Sequence, residues 1–197
     1  VCLLLVGTGK EIEREGHDRD SIKLSPHEEE LILNTAKVNE NVIVALYAGS
    51  AIDMSAWIDK VKAVVFVGYA GEGVHEALAD VLTGKVNPSG KLAETYPYKL
   101  EDTPCYDYFP GNTTTVEYRE GIYIGYRYYD TAKKQVRYPF GYGLSYTEFE
   151  YTDMTGTENK ADDTYTVTVT VKNTGNVKGK ESVQIYLQQP YINGGIE

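Results

Sequence analysis

A chain of 197 residues with 42% apolar and 24% charged side chains has the composition of a globular protein and enough length for one domain or two. Its net charge of −10 argues against a nucleic-acid partner, whose phosphates demand a basic face, and against an anionic membrane surface. No apolar run approaches the ~20 residues that span a bilayer.

The opening VCLLLVG is a continuous apolar run closed by glycine, which predicts a strand covered on both faces. A charged loop follows, GTGKEIEREGHDRD, with Glu11, Glu13, Glu15, Asp18 and Asp20 set among Lys10, Arg14 and Arg19. LSPHEEELILNTAKVN predicts a helix. Ser25 can cap it, Pro26 suits its first position and Glu28 completes a Ser-x-x-Glu capping box. Leu31, Ile32, Thr35, Ala36 and Val38 would form its apolar stripe. NVIVALYAG predicts a second buried strand, SAWIDKVK a short helix and AVVFVGYAG a third strand. GEGVHEALADVLTGKV predicts an amphipathic helix, and NPSGKL a turn into a short strand. Strand and helix alternating in this way predict an α/β fold, a mainly parallel, doubly covered sheet in an α/β sandwich.

Residues 98–146 are rich in Gly, Pro, Asn and Tyr without a helical period, which predicts long loops with short strands. From Phe149 the pattern turns all-β. FEYTDMTGT, TYTVTVTVKNTG and ESVQIYLQQP predict antiparallel strands with one wet face, and KNTGNVKGKE a turn. Three strands fall short of the roughly seven of an immunoglobulin-like sandwich. An incomplete antiparallel β-sandwich is therefore expected over 149–197, after an α/β domain over 1–148 that has lost earlier elements.

Tyrosine is the unusual residue: 18, against 4 Phe and 1 Trp, concentrated between Tyr96 and Tyr151. A large ring with a hydroxyl suits a polar cleft or an interdomain seam, and equally the packing of a long loop against its domain. Cys2 and Cys105 permit one bridge at most, and Cys2 reads as a buried, inert thiol. Gly71 and Gly73 open a helix without a lysine partner, so close packing is the better reading than an anion site. His75 and Glu76 have no third ligand at metal spacing, so no metal is implied. Asp53 suits backbone capping, and Asn112-Thr113-Thr114 fits a glycosylation acceptor.

Taken in order, EIEREGHDR, LSPHEEELI, NVIVALYAGSAIDMSAW, VFVGYAGEGVHEALADVLTGKVNPSGKLAETYP, YREGIYIGYRYYD and YPFGYGLSYTEFEY resemble the C-terminal region of glycoside hydrolase family 3, the family of many β-glucosidases and β-xylosidases. The tail VTVTVKNTGNVKGKESVQIYL is similar to the start of the fibronectin type III-like domain that often follows. The resemblance implies a retaining exo-acting β-glycosidase whose nucleophilic aspartate lies in a (β/α)8 barrel missing from this chain. The implied partners are that barrel and a β-glucoside or β-xyloside, with no cofactor, and the isolated chain is expected to be inactive. In EGHDR, Glu15 before Gly16 matches the family's Glu-Gly-x-Asp-Arg pattern and is the implied general acid/base. Glu13 would take that role in a shifted alignment and is otherwise solvated with Glu11. Asp18 and Arg19 are expected to pair and shape the loop, and His17 to be a bystander. The alternative reading is a non-catalytic carbohydrate-binding or structural module, with tyrosine rings stacking on sugar faces.

Overall fold

Three parallel strands frame the first part of the chain in a computed structural model that describes residues 1–188. Strand β1 (Cys2–Gly7) pairs with β2 (Val42–Tyr47), and β2 with β3 (Ala63–Phe66), in the order β1-β2-β3. The central strand is the best covered: Val42, Val44, Ala45 and Leu46 are fully buried. In β1 every second residue turns inward, and Leu3 and Leu5 stay 43% and 61% exposed. An apolar run thus fixes the strand, while its period of two leaves one side of β1 bare among the described residues.

Helix α1 (Pro26–Val38) has the expected start, with Ser25 as cap and the reciprocal bonds of the capping box in place. It packs on β1 and β2 through Ile32, Leu33 and Ala36, whereas Leu31 and Val38 lie exposed, so the stripe sits one position round from the predicted one. The predicted helix around Trp57 is a single 3-10 turn over Ile58–Lys60, although Trp57 itself is fully buried in the core. Helix α2 (Val74–Leu82) is present, and it buries Leu78. The short strand expected after NPSGKL is reduced to one antiparallel bridge, Tyr96 to Tyr138. The Tyr-rich loops hold an unforeseen helix, α3 (Tyr126–Thr131); six residues are too few to show a helical period.

The chain divides into two compact units, residues 1–83 with 92–142, and residues 84–91 with the segment from Gly143 onward. In the second, β4 (Phe149–Asn159) and β5 (Thr164–Asn173) form an antiparallel pair with a register shift between Thr152 and Thr155. The turn segment 84–91 is bound into this unit. Asn87 Oδ1 accepts from Ser145 Oγ (3.0 Å) and from the Tyr146 N–H (2.8 Å), and its Nδ2 donates to the Lys178 carbonyl (3.2 Å). Lys91 bonds the Gly143 carbonyl and pairs with Glu181 at 3.2 Å. The third strand expected over 181–190 does not form over 181–188, and its last two residues lie outside the described ones. Alternation sets which side chains share a face, but a strand also needs a ladder partner, which alternation does not supply.

Candidate active site

The charged loop leaves β1 at the C-terminal edge of the parallel sheet, the edge at which open α/β folds hold ligands. One carboxylate closes it. Glu28 Oε1 accepts from the Gly7 N–H at 2.9 Å, and Oε2 accepts from the Ser25 N–H (3.2 Å) and hydroxyl (2.6 Å). The end of β1 and the cap of α1, which flank the loop, are thereby fastened to the same side chain. Inside the loop the Ile12 and Glu13 N–H groups both donate to the Gly9 carbonyl, and the Asp53 N–H donates to that of Ile22.

At the far end of the loop, Arg14 and His17 form an antiparallel bridge, with Glu15 and Gly16 as the two residues between them. Gly16 has φ of +75°, a left-handed conformation that strains residues with a Cβ. Glu15 therefore stands at the apex of a tight turn. It is exposed, and among the described residues it has neither a hydrogen bond nor an ion pair.

Glu13, two positions earlier, is held in the opposite way. Its Oε2 takes the Thr8 hydroxyl, the Gly49 N–H at 3.2 Å and the Tyr69 hydroxyl at 3.2 Å. Thr8 follows β1, Gly49 follows β2 and Tyr69 follows β3, so the donors come from the exits of all three strands. The Tyr69 hydroxyl, with one proton to give, also meets the Thr8 carbonyl. Partial burial pushes the Glu13 pKa up, but the bonds from Thr8, Gly49 and Tyr69, with the Arg19 charge, outweigh it and hold the group below its ordinary range.

Arg19 does not pair with Asp18. Its Nη1 donates to Ser50 Oγ at 2.8 Å, while Nε and Nη2 are buried with no hydrogen-bond partner among the described residues. Glu94, half-buried nearby, has its pKa raised, first by burial and then by the Glu13 charge, against the Ala51 N–H bond and Arg19. Of the expected site residues, then, Glu15 is free at a turn apex, Glu13 is engaged rather than solvated, and Glu11 and His17 are exposed. Thr8, Gly49, Ser50, Tyr69 and Glu94 were not foreseen. A glycine closing the buried apolar run NVIVALYAG was the available signal for Gly49; the others are single residues in unremarkable contexts.

The remaining candidates have local roles. Asp53 Oδ1 accepts from the Ser55 N–H at 2.8 Å, the capping expected of it. Asn112 Oδ1 accepts from the Thr114 and Thr115 N–H groups, each at 2.9 Å, and closes a turn. His75 lies against Tyr47, its Nδ1 3.3 Å from the phenol oxygen. Both cysteines are free thiols. Among the described residues no three His, Cys, Asp or Glu side chains converge as metal ligands, and no helix is long and apolar enough to cross a membrane. The tyrosines divide: Tyr96 and Tyr129 are buried and Tyr138 stacks on Tyr142 at 4.7 Å, while Tyr106, Tyr118 and Tyr146 are exposed. Burial, with the neighbouring Tyr128, pushes the Tyr129 phenol up to about 12.

Residues 1–126 match the family model of the glycosyl hydrolase family 3 C-terminal domain. The chain is 46% identical over 190 residues to the thermostable beta-glucosidase B of Acetivibrio thermocellus, covering 95% of this chain and 25% of that protein. It is 42% identical over 187 residues to an exo-alpha-(1->6)-L-arabinopyranosidase of Bifidobacterium longum, with the same coverage of both. The crystal structure of the Bifidobacterium adolescentis GH3 beta-glucosidase superposes with a TM-score of 0.85 at 40% identity, over 89% of this chain and 26% of that one. The chain thus spans about a quarter of the length of the relatives it matches.

Proposed function

This chain belongs to the glycosyl hydrolase family 3 C-terminal domain family, and we propose that it is the proton-donating part of a retaining, exo-acting β-glycosidase, with Glu15 as general acid/base. The substrate class is a terminal, non-reducing β-linked sugar, a β-glucoside before a β-xyloside. The carboxylate nucleophile and the sugar pocket belong to a (β/α)8 barrel elsewhere in the longer protein, so the 197 residues alone do not turn over. Residues from Phe149 open a fibronectin type III-like β domain.

The observation that carries the proposal is the Arg14–His17 bridge, which puts Glu15 at the apex of a turn with no partner among the described residues. A general acid/base needs a carboxyl that is free to meet the glycosidic oxygen and held still enough to meet it repeatedly. The turn supplies the freedom and the Glu28 clasp the anchorage. Glu13 is the poorer donor because its pKa is lowered and its Oε2 already takes the Thr8 hydroxyl and the Gly49 N–H, with the single Tyr69 proton shared between it and the Thr8 carbonyl. In the first step the Glu15 carboxyl gives its proton to the departing oxygen while the nucleophile bonds to the anomeric carbon. In the second, the Glu15 carboxylate takes a proton from the water that releases the sugar. Such pairs of carboxyl groups stand ~5–5.5 Å apart in retaining enzymes, and a carboxyl beside a carboxylate in a dehydrated pocket keeps its proton to higher pH.

The test is Glu15→Gln in the full-length protein. Its kcat/KM should fall by roughly 10²–10⁴ for alkyl glycosides and oligosaccharides, which need the proton, and change only slightly for dinitrophenyl glycosides, which do not. Azide should restore turnover of the activated substrates by replacing water in the second step. Equal loss on both substrate classes would reject the assignment. No loss on either, together with saturable binding of cello-oligosaccharides by the isolated chain, would favour a carbohydrate-binding module instead.

A further inference from the structure

We propose that Glu13 is the positioning residue for Glu15: by tying the loop to the exits of all three parallel strands, its carboxylate fixes where the Glu15 turn points. The inference rests on Glu15 being the proton donor and adds a second residue to that reading.

Three features of the structure converge on it. The donors to Glu13 Oε2 are not neighbours in sequence; Thr8, Gly49 and Tyr69 are brought together only because β1, β2 and β3 run parallel and end at the same edge. The loop is therefore registered against the whole sheet rather than against one strand. Next, the site is shaped around the carboxylate. A Cβ on Gly49 would overlap the Glu13 carboxyl and come within 3.1 Å of the Tyr69 ring, so glycine is needed there for room and not for an unusual dihedral. Finally, the two glutamates are close along the chain. Two residues of extended backbone span at most about 7 Å, so a displacement at Glu13 passes to Glu15 with little chain to absorb it.

The latch is open to solvent, with Tyr69 60% exposed and Gly49 exposed, so global stability depends on it only weakly. Its effect falls on orientation. The Glu13 carboxylate is held ionised at neutral pH by its donors, which makes the bonds charge-assisted and short-ranged in direction. Reacting groups tolerate little displacement: a misplacement of about 1 Å can cost on the order of 10²-fold in rate.

The experiment uses the full-length enzyme with Glu13→Ala, Glu13→Gln and Tyr69→Phe, each alone and combined with Glu15→Gln. With Glu13→Ala, kcat/KM for poor-leaving-group glycosides should fall roughly 10–100-fold, with dinitrophenyl glycosides held within about threefold. Glu13→Gln should recover much of that loss, since its amide oxygen still accepts from Thr8 and Gly49. Tyr69→Phe, which removes one donor from an exposed position, should show the same preference at smaller amplitude, and it decides the matter if Glu13→Ala does not fold. In the Glu15→Gln background none of the three should add a further loss, because the group they orient is gone. Equal loss on both substrate classes, additive losses, or unchanged kinetics would overturn the positioning role. If Glu15→Gln keeps its leaving-group preference while Glu13 losses add, positioning alone fails. If Glu15→Gln shows no such preference, the proton-donor assignment falls and the positioning role with it.

Discussion

Removing the Glu28 carboxylate gives the sharpest test of how the loop is held. Glu28 serves two elements at once, accepting from the Gly7 N–H at the end of β1 and from both the N–H and hydroxyl of Ser25 at the start of α1. Glu28→Ala leaves the half-buried Gly7 donor without its acceptor, a cost of about 1–3 kcal/mol. It also removes half of the capping box, about 0.5–1 kcal/mol, because Ser25 Oγ can still accept the N–H of residue 28. The expected loss is about 2–3 kcal/mol. Trp57 makes this measurable in the right place. It is the single tryptophan, fully buried in the core of the first unit, so its fluorescence reports that unit regardless of the β4–β5 pair. For a urea slope of roughly 2 kcal/mol per molar, the midpoint should fall by about 1 M with no change in slope. Glu28→Gln keeps one acceptor oxygen and should lose only about 1 kcal/mol. A Glu28→Ala protein within about 0.5 kcal/mol of the parent would refute the clasp. So would a Glu28→Gln protein as damaged as Glu28→Ala, since charge rather than bonding would then carry the effect.

Three further outcomes are expected. Ile32→Ala empties a fully buried site between α1 and the sheet and should cost about 2–5 kcal/mol in the same Trp57 urea titration. Glu13 and Glu94 should show opposite pH dependence. Glu13, with its folded pKa lowered, stabilises the fold above the unfolded carboxylate value of ~4.3, and that contribution disappears as pH falls through the folded value, so Glu13→Gln should cost stability at pH 7 and little in strong acid. Glu94, with its folded pKa raised, loses stability as pH rises from ~4.3 through the folded value, so Glu94→Gln should raise the midpoint relative to the parent more at pH 7 than at pH 4. In the second unit, Asn87→Ala breaks three bonds at once and should speed amide exchange across residues 143–147, as read by mass spectrometry, while β1 and β2 amides keep their protection.

What the sequence made legible was whatever depends on neighbours along the chain. The Ser25–Glu28 box, the parallel strands and the antiparallel β4–β5 pair each have a short-range signature: a capping spacing, an apolar run between turns, and strict Thr/Val alternation. The segments that carry NPSGKL and YGLSYT are joined in the structure by Asn87, which bonds Ser145 and Tyr146, so two distant segments share one amide. The misses are of the other kind. Arg19 was expected on Asp18, its sequence neighbour, and instead reaches Ser50 beyond β2. The stripe of α1 was set from apolar identity, but the sheet lies against Ile32, Leu33 and Ala36 and leaves Leu31 and Val38 to solvent. Residues 181–188 have strand-like alternation and no strand, because pairing is a property of two segments and not of one.

The loop carboxylates show most clearly why charge counts do not identify a site. Glu13 and Glu15 have the same side chain, sit two residues apart and lie at the same edge of the sheet, yet in the proposed mechanism they face opposite demands. A residue that anchors must satisfy its oxygens with fixed donors, which lowers its pKa and removes it from proton transfer. A residue that transfers a proton must keep an oxygen unfilled and yet be carried on a rigid support. On the proposed reading the turn at Glu15-Gly16 separates the two tasks by two residues, with the anchor at Glu13 bonded to groups at the strand exits and the free carboxyl standing beyond it. That division follows from the parallel topology: only strands ending at a common edge can offer Thr8, Gly49 and Tyr69 to a single oxygen.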